Sequence, residues 1–373
     1  MLIAEHTATI EACRFCFMCR HVCTLGVVSG KESDTPRGRG LILFQTLKGH
    51  VAYSPDLVDT VYRCCLCGYC QTWCQAKCTP PAAVLAARAD IVAQGLAPAA
   101  VQEIKARLLA TGNPFGRPAE ERFQALESEG LFRPRAEVLY YVGCDTAYER
   151  PEIARAMIHL LRAAKADFTL LPQERSTGKP LYLLGYRDEA RAMAEQLTAQ
   201  IRATGCRRLV TTCPSALDAF LTDYPALRVA LDGVEVLHAA QYLDRLAEEG
   251  RLPLQRKTSA SMTLLDAGYL GRGHKILDQP RRLLGRMSDS PLREMGWTRE
   301  LAYSCGEAGG VLRLLHPELS QQLAARVWAE AQTTGADVLV TTCPVTKTAL
   351  GEARASQMAV RDLVEVAAEA LGG

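Results

Sequence analysis

From residue 136 onward, short apolar runs alternate with stretches whose apolar residues recur every three or four positions. The runs EVLYYVG, KPLYLLGY, RRLVTTCP, MTLLDAG and DVLVTTCP are rich in β-branched, aromatic and leucine side chains, and they predict buried strands. Between them, PEIARAMIHLLRAAKA, DEARAMAEQLTAQIRATG and PELSQQLAARVWAEAQTTG predict helices. In the last, Pro317 suits a first turn, Gly335 a C-terminal cap, and Leu319, Leu323 and Val327 line one face. Strands alternating with helices argue for mainly parallel sheets covered by helices. Before residue 136 the pattern is helical. Thr35 followed by Pro36 predicts a helix start, with Leu41, Leu43, Phe44 and Leu47 as its apolar face before Gly49. The alanine-rich stretch 84–112 predicts two short helices broken at Gly95 and Pro98, and 113–137, which mixes proline, glycine and charge, reads as a linker.

The α/β part contains an internal repeat. ATGCRRLVTTCPSALDAF at 203–220 matches TTGADVLVTTCPVTKTAL at 333–350, including the whole of TTCP. Two related halves account for this most simply, each with a cysteine at a strand end, where α/β sheets place their sites. The expected organisation is a helical domain at 1–90, a helical linker at 91–135, and two repeats at 136–257 and 258–373.

Composition narrows the function. The 373 residues carry a formal charge of +2, without the basic field that nucleic-acid binding needs. No apolar run reaches the roughly 18 to 20 residues of a membrane span, and MLIAEHTATIEACRF lacks the pattern of a secretion signal. The expectation is a cytoplasmic protein that docks on the inner face of the membrane, if at all, through a partner. Ten of the 15 cysteines fall between Cys13 and Cys78. In a reducing compartment such clustering points to metal thiolates rather than disulfides.

Two segments share one spacing. CRFCFMCRHVC gives Cys13, Cys16, Cys19 and Cys23, and CCLCGYCQTWC gives Cys64, Cys67, Cys70 and Cys74, both as C-x2-C-x2-C-x3-C. This is the run that wraps a 4Fe-4S cluster, with the fourth thiolate passed to the neighbouring cluster in two-cluster ferredoxins. Cys13, Cys16, Cys19 and Cys74 are therefore assigned to one cluster, and Cys64, Cys67, Cys70 and Cys23 to the other. Thr24 and Gln75 stand where proline often follows such runs. Cys65 and Cys78 fall outside the spacing, as alternative ligands or buried thiols, and Arg37 and Arg39 serve either a cluster or partner or a solvated helix end. The competing reading of the eight cysteines is zinc held by paired C-x2-C arms.

With ESDTPRGR after the first run and the paired repeats, the sequence resembles the iron–sulfur subunits related to heterodisulfide reductase, glycolate oxidase and anaerobic glycerol-3-phosphate dehydrogenase. The resemblance covers nearly the whole chain. It implies cysteine-rich repeats whose full pattern is a lone cysteine, a cysteine-cysteine-glycine and a cysteine-proline-x-cysteine, and in some members five such thiolates hold a noncubane cluster. Here the first repeat keeps Cys144 and Cys213, while Ser176, Thr177 and Ala216 replace ligands. The second keeps Cys305 and Cys343, with Gly268, Tyr269, Ser304 and Thr346 at the replaced places. Hydroxyls stay protonated where thiols ionise, and glycine and alanine offer no ligand atom. The expectation is a pair of structural, metal-free repeats. The competing arrangement has Cys144, Cys213, Cys305 and Cys343 meeting on one metal as remnant ligands; a zinc site using His159, His238 or His274 is weaker, and Cys206 reads as a structural thiol.

Three functions follow. The leading one is an electron-transfer subunit whose two 4Fe-4S clusters lie between a flavoprotein dehydrogenase partner and a membrane-associated or soluble acceptor, in a hetero-oligomer. The chain itself shows no flavin or nicotinamide site, since GYLGRGH has the wrong spacing for a dinucleotide fingerprint. The second is a catalyst of disulfide or thiol chemistry in the repeats, and the third a zinc-binding interaction protein.

Overall fold

The computed structural model describes residues 1–127, 129–353 and 356–371. Ser128 of the linker stretch and residues 354, 355, 372 and 373 of the second repeat lie outside them. The amino-terminal region is helical. Thr35 accepts the Gly38 N–H at 3.0 Å ahead of the helix Pro36–Leu47, and Ser54 caps the helix Pro55–Tyr62 in the same way, each with proline in the first turn. The helices Pro80–Ala93 and Ala99–Thr111 follow, interrupted where Gly95 and Pro98 fall.

Two parallel sheets carry the rest. The first has strands β1 (Val138–Tyr141), β2 (Phe168–Thr169), β3 (Arg208–Thr211) and β4 (Glu235–His238) in the order β2-β1-β3-β4. The second has β5 (Met262–Leu265), β6 (Val338–Thr341) and β7 (Ala359–Asp362) in that order. Tyr141 of β1 pairs with Thr211 of β3, and Leu265 of β5 with Thr341 of β6, so in each sheet the segments that leave these two strands emerge side by side. Both parallel-sheet regions expected from the repeat are present. KPLYLLGY, expected as a strand, is instead the helix Lys179–Leu184. Proline in its first turn and left-handed glycines at both ends favour a helix, and almost every side chain in it is buried, which erases the one-sided pattern that marks a surface helix. A Cβ on Gly185 would lie 2.5 Å from the Arg88 carbonyl oxygen, so glycine there lets the first repeat close on the helix Pro80–Ala93.

The last strand of each sheet runs straight into a capped helix. His238 Nδ1 accepts the Ala240 N–H at 3.1 Å while Gln241 returns to the His238 N–H, and Asp362 and Glu365 repeat the device before the helix Leu363–Glu369. Burial lowers the His238 pKa to about 4. The folded chain thus binds fewer protons than the unfolded one between pH 6.5 and 4, and stability is lost as pH falls through that window, by about 1.4 kcal/mol per unit at most. Chemical unfolding followed from pH 8 to 4 should show this acid slope, and His238→Asn, which keeps an acceptor cap, should remove it; an unchanged slope would assign it to other groups.

The repeats clasp each other in a pseudo-symmetric way. The helix after TTCP in the first repeat places Asp218 Oδ1 2.9 Å from His274 Nε2 of the second, and the equivalent helix of the second sends Lys347 Nζ to Glu152 at 2.8 Å and Thr348 to Arg150. The amino-terminal region packs on both. One apolar core joins Ile10, Leu43 and Tyr62 to Leu181, Leu184 and Leu209, and another joins Val22 and Tyr69 to Leu265, Trp328 and Leu339. Each such fully buried side chain contributes about 1.5–3 kcal/mol.

Candidate functional site

The two cysteine runs are tied together by the segment between them. Asp34 of ESDTPRGR receives Arg63, the residue before Cys64, through two hydrogen bonds of 2.9 and 2.6 Å, and Arg39 donates to the Asp34 and Thr60 carbonyls. Arg39 is thus a buried strut rather than a solvated helix end. Burial pushes the Asp34 carboxyl up, but Arg63 and Arg39 outweigh it and leave the pKa lowered. Cys23 caps the helix Thr24–Ser29, its Sγ 3.4 Å from the Gly26 N–H. Leu66 and Gly68, both at positive φ, turn the second run where Cys64, Cys67 and Cys70 come to line one cavity.

Two adjoining cavities result. One is lined by Cys13, Cys16, Cys19 and Cys74, together with Cys70, Cys78 and Arg37. The other is lined by Cys23, Cys64, Cys67 and Cys70, together with Cys13, Cys65 and an apolar wall that includes Leu25, Leu43 and Val84. The fold therefore carries Cys74 back to the first run and Cys23 forward to the second. Burial first, then neighbouring thiols, raise Cys13 and Cys23 to about 12 and Cys19 to about 11. Cys67 moves the other way, lowered by a hydrogen bond from Cys65 and then by the Arg272 guanidinium. Thiols crowded in this way ionise together only around a strong positive centre. Among the described residues no three Cys, His, Asp or Glu side chains are placed to share one metal ion, whereas a cubane takes one thiolate per iron around a cage. The donor set fits an iron–sulfur group.

In the first repeat the five family positions come together. Cys144, Ser176, Thr177, Cys213 and Ala216 line one small cavity at the ends of β1 and β3, joined by Lys179 and Ser215 of the same repeat and by Gly309 of the other. Glu174 braces the lining: its carboxylate accepts the Val142 and Gly143 N–H groups at 2.8 and 2.9 Å and pairs at 2.7 Å with Arg122, whose other nitrogen donates to Cys144 Sγ at 3.1 Å. Arg122 comes from the stretch read as a linker, and it is buried. Below the cavity, Lys179 Nζ is held by Asp218 at 2.6 Å and Asp223 at 2.7 Å.

The second repeat is refilled rather than vacant. Glu307 accepts the Gly268 N–H at 3.0 Å and the Ser304 hydroxyl, and Ser304 accepts the Gly306 N–H. A Cβ at Gly268 would meet Arg272 Nη2 at 2.4 Å and Glu307 Oε1 at 2.7 Å. Protein side chains therefore occupy the place of the missing ligand. Cys305 is buried among Ala302, Val327 and Trp328, and Cys343 among Leu217, Ala267 and Val345, in separate apolar clusters. The four remnant cysteines do not gather on one point. Of the histidines, His238 caps a helix, His274 pairs with Asp218 and His159 is exposed; Cys206 is a buried thiol.

Residues 138–216 and 268–351 each match the cysteine-rich domain known as CCG. One component of the dihydromethanophenazine:CoB–CoM heterodisulfide reductase of Methanosarcina mazei is 26% identical over 394 residues, spanning 100% of this chain and 96% of the relative. The whole chain is related to iron–sulfur subunits of the heterodisulfide-reductase type. A component of the CoM/CoB fumarate reductase of Methanothermobacter marburgensis is 23% identical across 91% of this chain and 67% of its own length, and the EtfAB:quinone oxidoreductase of Syntrophomonas wolfei 25% identical across 68% and 37%. A putative Asp/Glu racemase from Yersinia pestis, a solved structure, aligns with a TM-score of 0.32 and 15% identity over 63% of this chain and 96% of its own, too weakly to inform the fold or the chemistry.

These sequence relatives are iron–sulfur oxidoreductase subunits, which together with the cysteine-rich domain supports iron–sulfur chemistry and electron transfer in this chain. Sequence reasoning placed the replaced ligands but missed the charged groups around them: Glu174 and Arg122 beside Cys144, and Glu307 and Arg272 at Gly268. A signal was there in part, since ERSTG and SCGEAGG each carry an acid within two residues of a lost thiolate or its surviving neighbour.

Proposed function

We propose that this chain is the electron-transfer subunit of a multi-subunit, flavin-dependent dehydrogenase. Residues 1–90 form a two-cluster ferredoxin-like domain, 91–135 link it onward, and the repeats at 136–257 and 258–373 serve as docking scaffold. The observation that carries the reading is the contrast between the sites: two cavities each lined by a complete set of four cysteines, against repeat sites left with two thiols each, one of them refilled by Glu307. Cys13, Cys16, Cys19 and Cys74 would hold one 4Fe-4S cluster, and Cys23, Cys64, Cys67 and Cys70 the other. Each supplies one-electron chemistry, which suits division of the two electrons a flavin delivers. The chain's own residues exclude water from the second cavity with Leu25, Leu43 and Val84 and fix the two cysteine runs through Asp34, Arg39 and Arg63. A relative named EtfAB:quinone oxidoreductase supports an electron-transfer flavoprotein or a quinone as the acceptor, and the reading places the protein in the cytoplasm, at the membrane's inner face through its partner. No helix among the described residues is long and apolar enough to cross a membrane.

A docking face accompanies the first set. Phe15, Phe17 and Met18 lie between its cysteines and are 72, 67 and 52% exposed. Three large apolar side chains exposed in four consecutive residues mark a contact surface. The double variant Phe15→Ser/Phe17→Ser should weaken binding to the flavoprotein partner at least about tenfold without changing iron content, as measured by titration calorimetry; unchanged affinity would move the interface elsewhere. The function itself is tested by anaerobic native purification. The chain should co-purify with a flavoprotein whose substrate reduces the chain's EPR-active centres, whereas a clean monomer would count against it.

The cavity of the first repeat keeps a second reading alive, since Cys144 and Cys213 both line it. There the chain would act on a disulfide or thiol, as the heterodisulfide reductase relative's name describes for that protein. Turnover of a disulfide that is lost in Cys144→Ser would favour it.

A further inference from the structure

Arg272 stands between the second repeat and the amino-terminal cysteines. Its Nε donates to the Cys67 carbonyl at 2.9 Å, its Nη1 to the Ala302 carbonyl at 2.7 Å, and its guanidinium lies 5.1 Å from the centre of the Tyr69 ring. These contacts hold the cation rigidly against the loop that carries Cys67. They do not satisfy it: Nη2 is buried without a hydrogen-bond partner. Glu307 Oε1 lies 2.7 Å from the Gly268 Cβ position, already engaged by Gly268 and Ser304, and no ion pair joins it to Arg272 among the described residues. Scaffolding alone would be served by a side chain whose donors are all used, because a buried guanidinium nitrogen without a partner costs stability. A cation is favoured there if negative charge gathers beside it.

We propose that Arg272 tunes the redox site: its fixed charge, held against the Cys67 peptide, raises the reduction potential of the iron–sulfur cluster held by Cys23, Cys64, Cys67 and Cys70. This rests on the ligand assignment above. Reduction adds one electron, supplied by a reduced flavin, with no bond made or broken and no proton moved. Part of the added negative charge would fall on the Cys67 thiolate, whose own peptide the guanidinium holds, and a cation there would favour the reduced state. The second repeat thus keeps a redox task after losing its own metal: its refilled site delivers a cation to a neighbouring one.

The test is an EPR-monitored redox titration of the full, anaerobically reconstituted chain with a chemical reductant. Arg272→Gln should lower one of the two midpoint potentials so that the reduced-to-oxidised ratio at fixed poise falls about tenfold, or ~59 mV for a one-electron couple, with iron content unchanged. Arg272→Lys should keep most of the potential, and Glu307→Gln, which removes an anion nearby, should shift it the opposite way. Unmoved potentials in Arg272→Gln, or equal shifts in the Gln and Lys variants accompanied by lost thermal stability, would overturn the proposal. Cys67→Ser separates it from the reading beneath it. If that variant keeps its full iron, the ligand assignment fails; if it loses one cluster while Arg272→Gln shifts nothing, only the tuning role fails.

Discussion

Replacing Cys67 by serine should remove about four of about eight irons per chain and one of two EPR signals, leaving the other signal intact. Cys67 lines the cavity of Cys23, Cys64 and Cys70, and it is absent from the lining of the cavity that Cys13, Cys16, Cys19 and Cys74 share. A serine hydroxyl is too weak an acid to replace the thiolate, so one site is lost and its neighbour keeps all four ligands. Cys305→Ser and Cys343→Ser should change the iron content by nothing measurable, because both thiols are fully buried in apolar clusters with their pKa pushed far up by burial. Iron and acid-labile sulfide assays with EPR of the reduced protein check all three. A signal lost on changing Cys305 would place metal in the second repeat.

Glu174→Gln should destabilise the chain by about 3–5 kcal/mol, the largest cost expected from any single change outside the cysteines. The carboxylate is fully buried, and it neutralises an equally buried Arg122 while holding the backbone at Val142 and Gly143. Glutamine can still accept a backbone N–H but leaves the guanidinium with no opposite charge at 2.7 Å. The double change Glu174→Leu/Arg122→Met should recover most of the loss, since removing both charges abolishes their desolvation cost together. Guanidinium unfolding of the variants measures this. A loss under about 1 kcal/mol for Glu174→Gln would mean that solvent reaches the pair.

Much of the architecture was legible because local signals agreed with the final packing. Thr35–Pro36, the TTCP segments and the periodic Leu319–Leu323–Val327 face each form the element their pattern predicts. KPLYLLGY misled because an eight-residue apolar run suits a buried helix as well as a strand, and only its flanking glycines and Pro180 separate the two. The strands β4 and β7 were missed because each is half exposed and lacks an apolar run, although Asp362-x-x-Glu365 carries a capping-box signature. The cysteine spacing named candidate ligands because a cluster imposes local geometry on its chain. Nothing local marks Arg122 or Arg272, whose partners lie as far as 205 residues away along the chain.

The central claim is that metal belongs to the eight amino-terminal cysteines and that the repeats act without it. Iron and acid-labile sulfide counted per chain, on the intact protein reconstituted under anaerobic conditions, tests it most directly. The account predicts about eight of each. About twelve would put a further cluster in the repeats, and zinc without sulfide would remove the redox reading altogether.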